Sequence, residues 1–266
     1  MLTSEPGSSE PLVVTHDGPI ATLWLNRPEK RNAVNQAMWD GIATLCAALT
    51  ADPAVRVLVL RGTGDHFCAG ADISELEGSD ASYRRANAAA EEALAAFPKP
   101  TIAFVRGSCV GGGAEIAIAC DLRLADTTAR FGITPARLGI VYPAFGVERA
   151  VRLLGPSATK HLLFSAELID TDRALRIGLV DEVHEPSDAA DRLAALATLL
   201  ATERSLLTQE ASKAMVDECV RTGAISAETE ARWGKEVATS ADPSEGVAAF
   251  FERRPPRFTW AGRSTP

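Results

Sequence analysis

The stretch from Gly107 to Asp121, GSCVGGGAEIAIACD, has the residue types of a site that stabilises negative charge. Three consecutive glycines, 111 to 113, precede an apolar helical segment, and glycine allows backbone dihedrals and close ligand approach that other residues do not. Amide N–H groups at a helix N-terminus lack partners within the helix and favour an anion. Preorganised amides stabilise an oxygen that gains charge during a reaction. The segment therefore predicts an oxyanion hole, with a tight packing loop as the alternative.

Glu115 is the carboxylate beside this loop. Its neighbours along the chain and on the helix are glycine, alanine and isoleucine, so we expect its carboxyl group to be desolvated. Desolvation raises the pKa of a carboxyl group, and a raised pKa suits general acid–base catalysis near neutral pH. We predict this role for Glu115. The alternatives are a solvent-exposed side chain or a pair with a buried arginine.

A second glycine-bearing loop, Phe67–Ile73 (FCAGADI), follows an apolar strand and enters another helix. It can supply a second amide donor, although its Asp72 is also an ordinary helix N-cap. Two such loops, each after an apolar strand, place two helix N-termini at the same edge of a sheet. The pair of loops therefore strengthens the prediction of a shared site.

The charge balance restricts the class of ligand. The 266 residues contain 27 Lys+Arg and 35 Asp+Glu, a net charge of −8, which disfavours a general nucleic-acid binder because phosphate contacts need a basic face. An anionic ligand must be held by a local cluster. Arg27, Lys30 and Arg31 form one on a turn, where a phosphate contact and a solvated charged loop are both open interpretations.

The elements that must position these residues alternate between strands and helices. Strands are predicted at Leu12–Thr15, Ile20–Leu25, Arg56–Leu60, Thr101–Val105 and Leu122–Ala125, and helices around 38–49, 82–97 and 114–120, with one beginning near Asp72. Recurring strand–loop–helix units indicate an α/β domain built by repeated winding. After about residue 185 the pattern is helical. We predict a disordered leader over 1–11, a core over 12–190 that carries the site, and a helical C-terminal region over 191–266.

Composition indicates the compartment. Hydrophobic residues at 46% and charged residues at 23% are typical of a globular chain and exclude a disordered or fibrous one. The N-terminus does not resemble a signal peptide, and no apolar run approaches the roughly 20 residues of a membrane span. The 5 cysteines lack CxxC spacing, so buried free thiols are expected rather than a disulfide framework or a metal site. A cytoplasmic protein without a metal is the expectation.

Four segments together resemble the crotonase, or enoyl-CoA hydratase/isomerase, superfamily. They are LNRPEKRNAV at Leu25–Val34, FCAGADI at Phe67–Ile73, GGGAE at Gly111–Glu115 and DRALRIGLVDEV at Asp172–Val183. They occur in the family's order and span much of the chain. The resemblance implies a spiral of ββα units followed by a helical region used for trimerisation, often as a dimer of trimers. It also implies an acyl-CoA substrate and no separate cofactor, because coenzyme A is part of the substrate.

The resemblance also implies roles for individual residues. The amides of Ala71 and Gly112 would stabilise an enolate on the thioester oxygen. Phe251, near the C-terminus, can approach the CoA of a neighbouring subunit. The remaining CoA contacts implied by the resemblance are Arg27, Lys30 and Arg31 near the phosphates, and Ala69, Asp72 and Ile73 near the adenine end.

One position departs from the family's pattern. Typical hydratases carry one glutamate in GGGxE, here Glu115, and a second in FGxPE, where this chain has Pro135. A proline side chain can neither hold a water nor move a proton, so the prediction of straightforward hydration is weakened. The surrounding segment more closely resembles a branch that includes methylmalonyl-CoA decarboxylase, whose tyrosine corresponds to Tyr142 and could orient a substrate carboxylate or a water. That branch has histidine where this chain has Ala71, so the match is partial.

A site that stabilises an enolate beside one carboxylate can serve several reactions. Hydration of a 2-enoyl-CoA to a 3-hydroxyacyl-CoA uses Glu115 to activate water and return a proton. Decarboxylation starts without a general base, and isomerisation needs one carboxyl group to move a proton between carbons. We predict the hydratase, the family's most populated activity, with acyl-CoA decarboxylase or enoyl-CoA isomerase as alternatives. A non-catalytic acyl-CoA-binding subunit is the alternative of another class, against which Glu115 beside an intact glycine loop argues.

Overall fold

The elements of the fold alternate along the chain as the sequence predicts. The computed structural model describes residues 5–76 and 81–262. The strands are β1 Leu12–Asp17, β2 Ile20–Leu25, β3 Val57–Gly62, β4 Thr101–Val105, β5 Ser108–Val110, β6 Leu122–Asp126, β7 Arg130–Gly132 and β8 Glu182–His184. The helices are α1 Gln36–Ala51, α2 Ile73–Leu76, α3 Ala81–Ala95, α4 Gly112–Ala119, α5 Ala144–Ser165, α6 Thr171–Arg176, α7 Pro186–Thr202, α8 Leu206–Thr222, α9 Ala227–Thr239 and α10 Asp242–Glu252. Single 3-10 turns lie at Pro28–Lys30 and Pro135–Arg137.

A six-stranded sheet of order β1-β2-β3-β4-β6-β8 forms the centre of the molecule. β1 and β2 are an antiparallel hairpin, with Leu12 opposite Leu25, and the other neighbours are parallel. Parallel strands covered on both faces are apolar along their whole length. β2 and β3 are buried at every residue, as this arrangement requires. The predicted α/β class is confirmed.

The two faces of this sheet support separate apolar cores. Leu58 and Leu60 of β3 pack with Trp39 of α1 on one face, and Val59 packs with Leu193 of α7 on the other. The alternation follows from the two-residue period of a strand. Because α1, α3 and α4 share the first face, that face carries the elements that surround the predicted site.

A small second sheet, β5 with β7, brings the two glycine-bearing loops side by side. The Cys68 amide donates to the Ser108 carbonyl at 2.8 Å, and the Val110 amide donates to the Cys68 carbonyl at 3.0 Å. The Gly111 amide donates to the Gly132 carbonyl at 2.9 Å. Sequence analysis missed both strands, because three residues are too few to show an alternating pattern.

The remaining predictions for the fold are mostly confirmed, with shifted ends. The strand expected from residue 56 begins at Val57, and the helix expected over 82–97 is α3, which ends at Ala95. In the part of the chain described, no strand follows β8. Residues 1–4 of the expected leader lie outside the described residues, and the backbone carbonyls of Ser8 and Glu10 accept hydrogen bonds from the Asn26 side chain. The domain boundaries stay a prediction.

Two further expectations concern the burial of the cysteines and the absence of a membrane span. Cys46, Cys68, Cys109 and Cys120 are buried free thiols, but Cys219 is exposed on the solvent side of α8, contrary to the prediction. Within residues 5–76 and 81–262, no helix is both long enough and apolar enough to cross a membrane.

Candidate active site

A cavity of about 620 Å³ opens where the two glycine-bearing loops meet. Residues 69–71 of the first loop, Gly111 and Gly112 of the second, and Glu115 of α4 line one side of it. Side chains between Thr134 and Phe145 line the opposite side, and α3 contributes a third. This volume is within the range of about 300–1,000 Å³ usual for small-molecule sites. Trp39 of α1 also lines the cavity, so five separate parts of the sequence meet there.

The amides of Ala71 and Gly112 lie side by side in this cavity. A Cβ atom built on Gly112 would lie 3.2 Å from the Ala71 nitrogen, tighter than most real Cβ contacts, so glycine lets the two loops approach without displacing a neighbour. Gly112 is the first residue of α4, where an amide has no acceptor within the helix. Within the described residues neither amide donates a hydrogen bond to the protein. Both are available to a ligand oxygen.

The Gly113 position shows why the loop is glycine-rich. A Cβ atom there would lie 2.5 Å from the Cys68 carbonyl oxygen, closer than real Cβ contacts allow. Any side chain would push the loop of Cys68 away from α4 and separate the two amides. The glycines act here by permitting close packing of backbone on backbone.

Glu115 is held inside this cavity wall in the way that its apolar neighbours predict. Its side chain is 4% exposed, and burial raises the pKa of its carboxyl group to about 7. The Asn87 side-chain amide donates to its Oε2 at 2.9 Å. The Tyr142 hydroxyl lies within hydrogen-bonding reach of the same carboxylate and 3.1 Å from the Gly111 carbonyl oxygen. A carboxyl group with this pKa exchanges protons near neutral pH.

The sequence analysis did not single out Asn87 or Glu91, which lie on the inner face of α3. Glu91 is 1% exposed, and its carboxylate lies 3.4 Å from Arg149 Nε. Neither of its oxygens has a hydrogen-bond partner among the residues that the structure describes. Burial, followed by the nearby charge of Glu115, raises the pKa of Glu91 to about 8. A signal was present: Tyr83, Asn87 and Glu91 recur every four residues on the buried face of an alanine-rich helix.

Pro135 lies at the wall of the cavity, at the start of its 3-10 turn. Its ring can neither accept nor donate a proton. Among the described residues that line the cavity, Glu115 is therefore the one carboxylate. A ligand in this cavity therefore meets a single acidic side chain among the described lining residues.

The predicted CoA contacts are divided between the cavity and its surroundings. Ala69 and Ile73 line the cavity. Asp72 lies between them in sequence, and its carboxylate accepts a hydrogen bond from the Arg27 guanidinium at 2.9 Å. This ion pair is mostly buried, with side-chain exposures of 16% and 10%, and it ties the basic turn to the first loop. The pKa of Asp72 is lowered, first by its hydrogen bond from the Ser74 hydroxyl and then by Arg27, against the opposing effect of burial.

Three other predicted CoA contacts are exposed. Lys30 and Arg31 lie on or beside the 3-10 turn at Pro28–Lys30, where they face solvent. Phe251, on α10, is 78% exposed and packs edge-on against Phe250. None of these three lines the cavity within the described part of the chain, and their role toward CoA stays a prediction.

Comparison with known proteins matches the chain over nearly its whole length. The family model described as enoyl-CoA hydratase/isomerase matches residues 15–261. The chain is 36% identical to the crotonyl-CoA hydratase of Syntrophomonas wolfei over 257 residues, covering 94% of this chain and 98% of that protein. It is 33% identical to the short-chain-enoyl-CoA hydratase of Clostridium acetobutylicum over 250 residues, covering 91% and 95%.

Solved structures match equally well. The crystal structure of an enoyl-CoA hydratase/carnithine racemase from Magnetospirillum magneticum has a TM-score of 0.90 to this chain at 32% identity. The match covers 95% of this chain and 96% of the other. The overall fold is thus shared with a protein of known structure.

Proposed function

The chain belongs to the enoyl-CoA hydratase/isomerase family, and from this premise we propose that it adds water to 2-enoyl-CoA thioesters to give 3-hydroxyacyl-CoA products. The observation that carries the proposal is Glu115. Its carboxyl group is buried, has a pKa near 7 and lies in the same cavity as two amides that are free to bind an oxygen. Such a group is present in both protonation states near neutral pH, so it can take up a proton and return it.

The two amides supply the electrostatic part of the reaction. The thioester oxygen accepts hydrogen bonds from the Ala71 and Gly112 amides. As water adds to C3 of the enoyl group, the electron pair of the C2–C3 double bond moves onto that oxygen as an enolate. The amides are already in place and the site is largely buried, so this negative charge is stabilised without reorganisation of the protein.

Glu115 supplies the proton transfers. Its carboxylate removes a proton from the water as the oxygen bonds to C3, and the resulting carboxylic acid then protonates C2 of the enolate. One proton is taken and one is returned, so the net change is the addition of one water. The Asn87 amide fixes the position of the carboxylate while its protonation changes.

Two other reactions use the same enolate. Isomerisation is favoured by Pro135, because moving a proton between C2 and C4 needs no second carboxylate. Decarboxylation would use Tyr142 to hold a substrate carboxylate. However, its one hydroxyl proton is already surrounded by two acceptors, the Gly111 carbonyl and Glu115, which favours hydration over this alternative.

The test is incubation of the purified protein with crotonyl-CoA in ¹⁸O-labelled water, with products identified by mass spectrometry. Labelled 3-hydroxybutyryl-CoA formed at a catalytic rate supports the hydratase. A shifted double bond without label, from 2- or 3-hexenoyl-CoA, identifies an isomerase instead. Loss of CO₂ from methylmalonyl-CoA identifies a decarboxylase, and binding without turnover of any of the three identifies a binding subunit.

We also propose that the chain assembles as a homotrimer or a dimer of trimers. Support comes from apolar side chains on α10 that face solvent in the single chain: Val247, Phe250 and Phe251 are 58%, 79% and 78% exposed. Contiguous apolar surface of this kind marks an interface. Light scattering coupled to size-exclusion chromatography tests the stoichiometry, and a monomer would contradict it.

A further inference from the structure

Arg84 is the one cationic side chain among the described residues that line the cavity. It lies on α3, it is exposed, and it forms no ion pair or hydrogen bond within the described part of the chain. Two other arginines near the site already form ion pairs. Arg27 pairs with Asp72, and Arg149 pairs with Glu91 and Glu92. The hydration mechanism makes no use of Arg84.

The position of Arg84 relative to the reaction centre follows from the helix. Arg84 precedes Asn87 by three residues, so both side chains lie on one face of α3, about 4.5 Å apart along its axis. Asn87 holds the catalytic carboxylate. Arg84 therefore lines the same cavity as Glu115, and it leaves the helix less than one turn from the residue that holds this carboxylate.

The cavity that Arg84 lines also has apolar side chains from the segment 134–145. They are Leu138, Ile140, Val141 and Phe145. Leu138 and Ile140 are 51% and 45% exposed, so a ligand chain would cover apolar surface that is open in the protein alone. A ligand that fits has methylene groups for this wall and an anionic end for the guanidinium. Planar, bidentate binding of a carboxylate is the contact for which arginine is best suited.

We propose that Arg84 binds a terminal carboxylate on the acyl chain, so that the preferred substrates are 2-enoyl-CoA thioesters whose acyl group ends in an acid. This inference rests on the proposed hydration. It names the substrate class of that site, and it assigns to Arg84 a role in specificity rather than in the chemical step.

A phosphate of CoA is another anion that a guanidinium can bind. The two sources of the anion predict different effects across a series of substrates. A contact to a CoA phosphate affects every acyl-CoA equally, whereas a contact to the acyl carboxylate affects only acidic acyl groups.

The experiment compares matched pairs of substrates. For acyl chains of five to eight carbons, kcat/KM is measured for the 2-enoyl-CoA that ends in a carboxylate and for the one that ends in a methyl group. We expect the acidic member to be preferred by about tenfold or more at its best length, the effect of one hydrogen bond between charged groups at a partly exposed site. Arg84→Met should abolish this preference by lowering kcat/KM for the acidic series far more than for the methyl-ended series, and Arg84→Lys should keep part of the preference.

Arg85→Met is the matched control. Arg85 is the next residue of α3, also exposed, but it lines a separate hollow with Gln36 and Asp40. Its replacement removes the same charge from the same helix, so it should leave the preference intact. An equal loss in both variants would mean that the effect is one of net charge, which would overturn the assignment to Arg84.

Two further results would overturn the inference. One is equal or better turnover of the methyl-ended series by the unaltered protein at every length. The other is a similar rise in KM for both series in Arg84→Met, which would assign Arg84 to a CoA phosphate. If no 2-enoyl-CoA is hydrated, the proposed function fails but Arg84 can still be tested by calorimetry. Adipyl-CoA should then bind about tenfold more tightly than hexanoyl-CoA, and equal affinities would refute the assignment.

Discussion

The two facing walls of the cavity differ in how tightly they are packed and how much of their surface is exposed. The glycine wall, residues 69–71 and 111–115, is mostly buried, is fixed by backbone hydrogen bonds to β5 and β7, and has no room for a Cβ atom at Gly113. The facing wall, residues 134–145, exposes Leu138 at 51% and Val141 at 90%. In the proposed reaction the first wall supplies the groups that stabilise charge and move protons, and the second contacts the part of the ligand that can vary. Tight packing is therefore concentrated beside the proposed reacting atoms.

Tyr142 differs from the rest of the facing wall because it is buried. It is 7% exposed, and its hydroxyl lies 3.1 Å from the Gly111 carbonyl oxygen, across the cavity from its own backbone. Burial, followed by the charge of Glu115, raises the pKa of Tyr142 well above its usual value, so the hydroxyl keeps its proton. The facing wall is thus tied to the glycine wall at one point and is open elsewhere.

Glu115→Gln removes the only acidic side chain of the glycine wall, and we expect it to have the largest effect of the variants considered. A glutamine keeps the shape and still accepts the Asn87 hydrogen bond, but it cannot accept and return a proton. The expected result is a fall in kcat by ~10²–10⁴ with CoA affinity nearly unchanged, measured by steady-state hydration of crotonyl-CoA. A fall of less than about tenfold would remove Glu115 from the proton transfer.

Gly112→Pro breaks the same wall through its backbone. Proline is tolerated at the first position of a helix but has no amide N–H, so one donor to the thioester oxygen is lost. A Cβ atom at this position would also lie 3.1 Å from the Trp39 ring and 3.2 Å from the Ala71 nitrogen, so Gly112→Ala, which adds the Cβ atom and keeps the N–H, is the matched control. We expect kcat to fall by about 10²–10³, as for removal of one oxyanion donor. Circular dichroism and CoA binding serve as controls for folding, and near-normal kcat in a folded variant would mean that this amide does not contact the oxyanion.

Asn87→Leu tests how the glycine wall is held from α3. The Asn87 amide stabilises the charged form of Glu115 and so lowers its pKa, against burial, which raises it to about 7. Removing the amide should raise that pKa further. Because Glu115 must be ionised to accept a proton from water, the acid limb of the kcat–pH profile should move to higher pH, by about one unit for a hydrogen bond to a charged group. An unmoved acid limb would mean that the fall at low pH reports another group.

Val141→Ser alters the facing wall, and we expect the smallest effect. Val141 is 90% exposed, so its loss should leave stability and the turnover of crotonyl-CoA within about twofold. For a ten-carbon 2-enoyl-CoA, kcat/KM should fall about threefold, the effect of less than one buried CH₂ group at ~0.8 kcal/mol. An equal loss on both substrates would show that this wall, too, positions the reacting atoms.

Local sequence determined a large part of the fold and the glycine wall. Hydrophobic periodicity predicted the hairpin, α1 and the parallel strands β3, β4 and β6. A helix or strand that buries one or both of its faces shows this in the spacing of its apolar residues. The same reasoning predicted a desolvated Glu115, since its helical neighbours are apolar wherever α4 lies. The three strands of three residues, β5, β7 and β8, carry too little pattern to be seen in this way.

Only the tertiary structure decided which distant residues meet. The Arg27–Asp72 pair joins residues 45 apart, and the Asn87–Glu115 hydrogen bond joins residues 28 apart. The presence of Arg84 in the cavity, with Arg85 outside it, depends on how α3 is rotated against its neighbours. Such contacts depend on how whole helices and strands pack together. That packing is decided by the total surface they bury, which a short segment of sequence does not contain. Residue types therefore determined the chemistry that is available here, and packing decided which side chains take part in it.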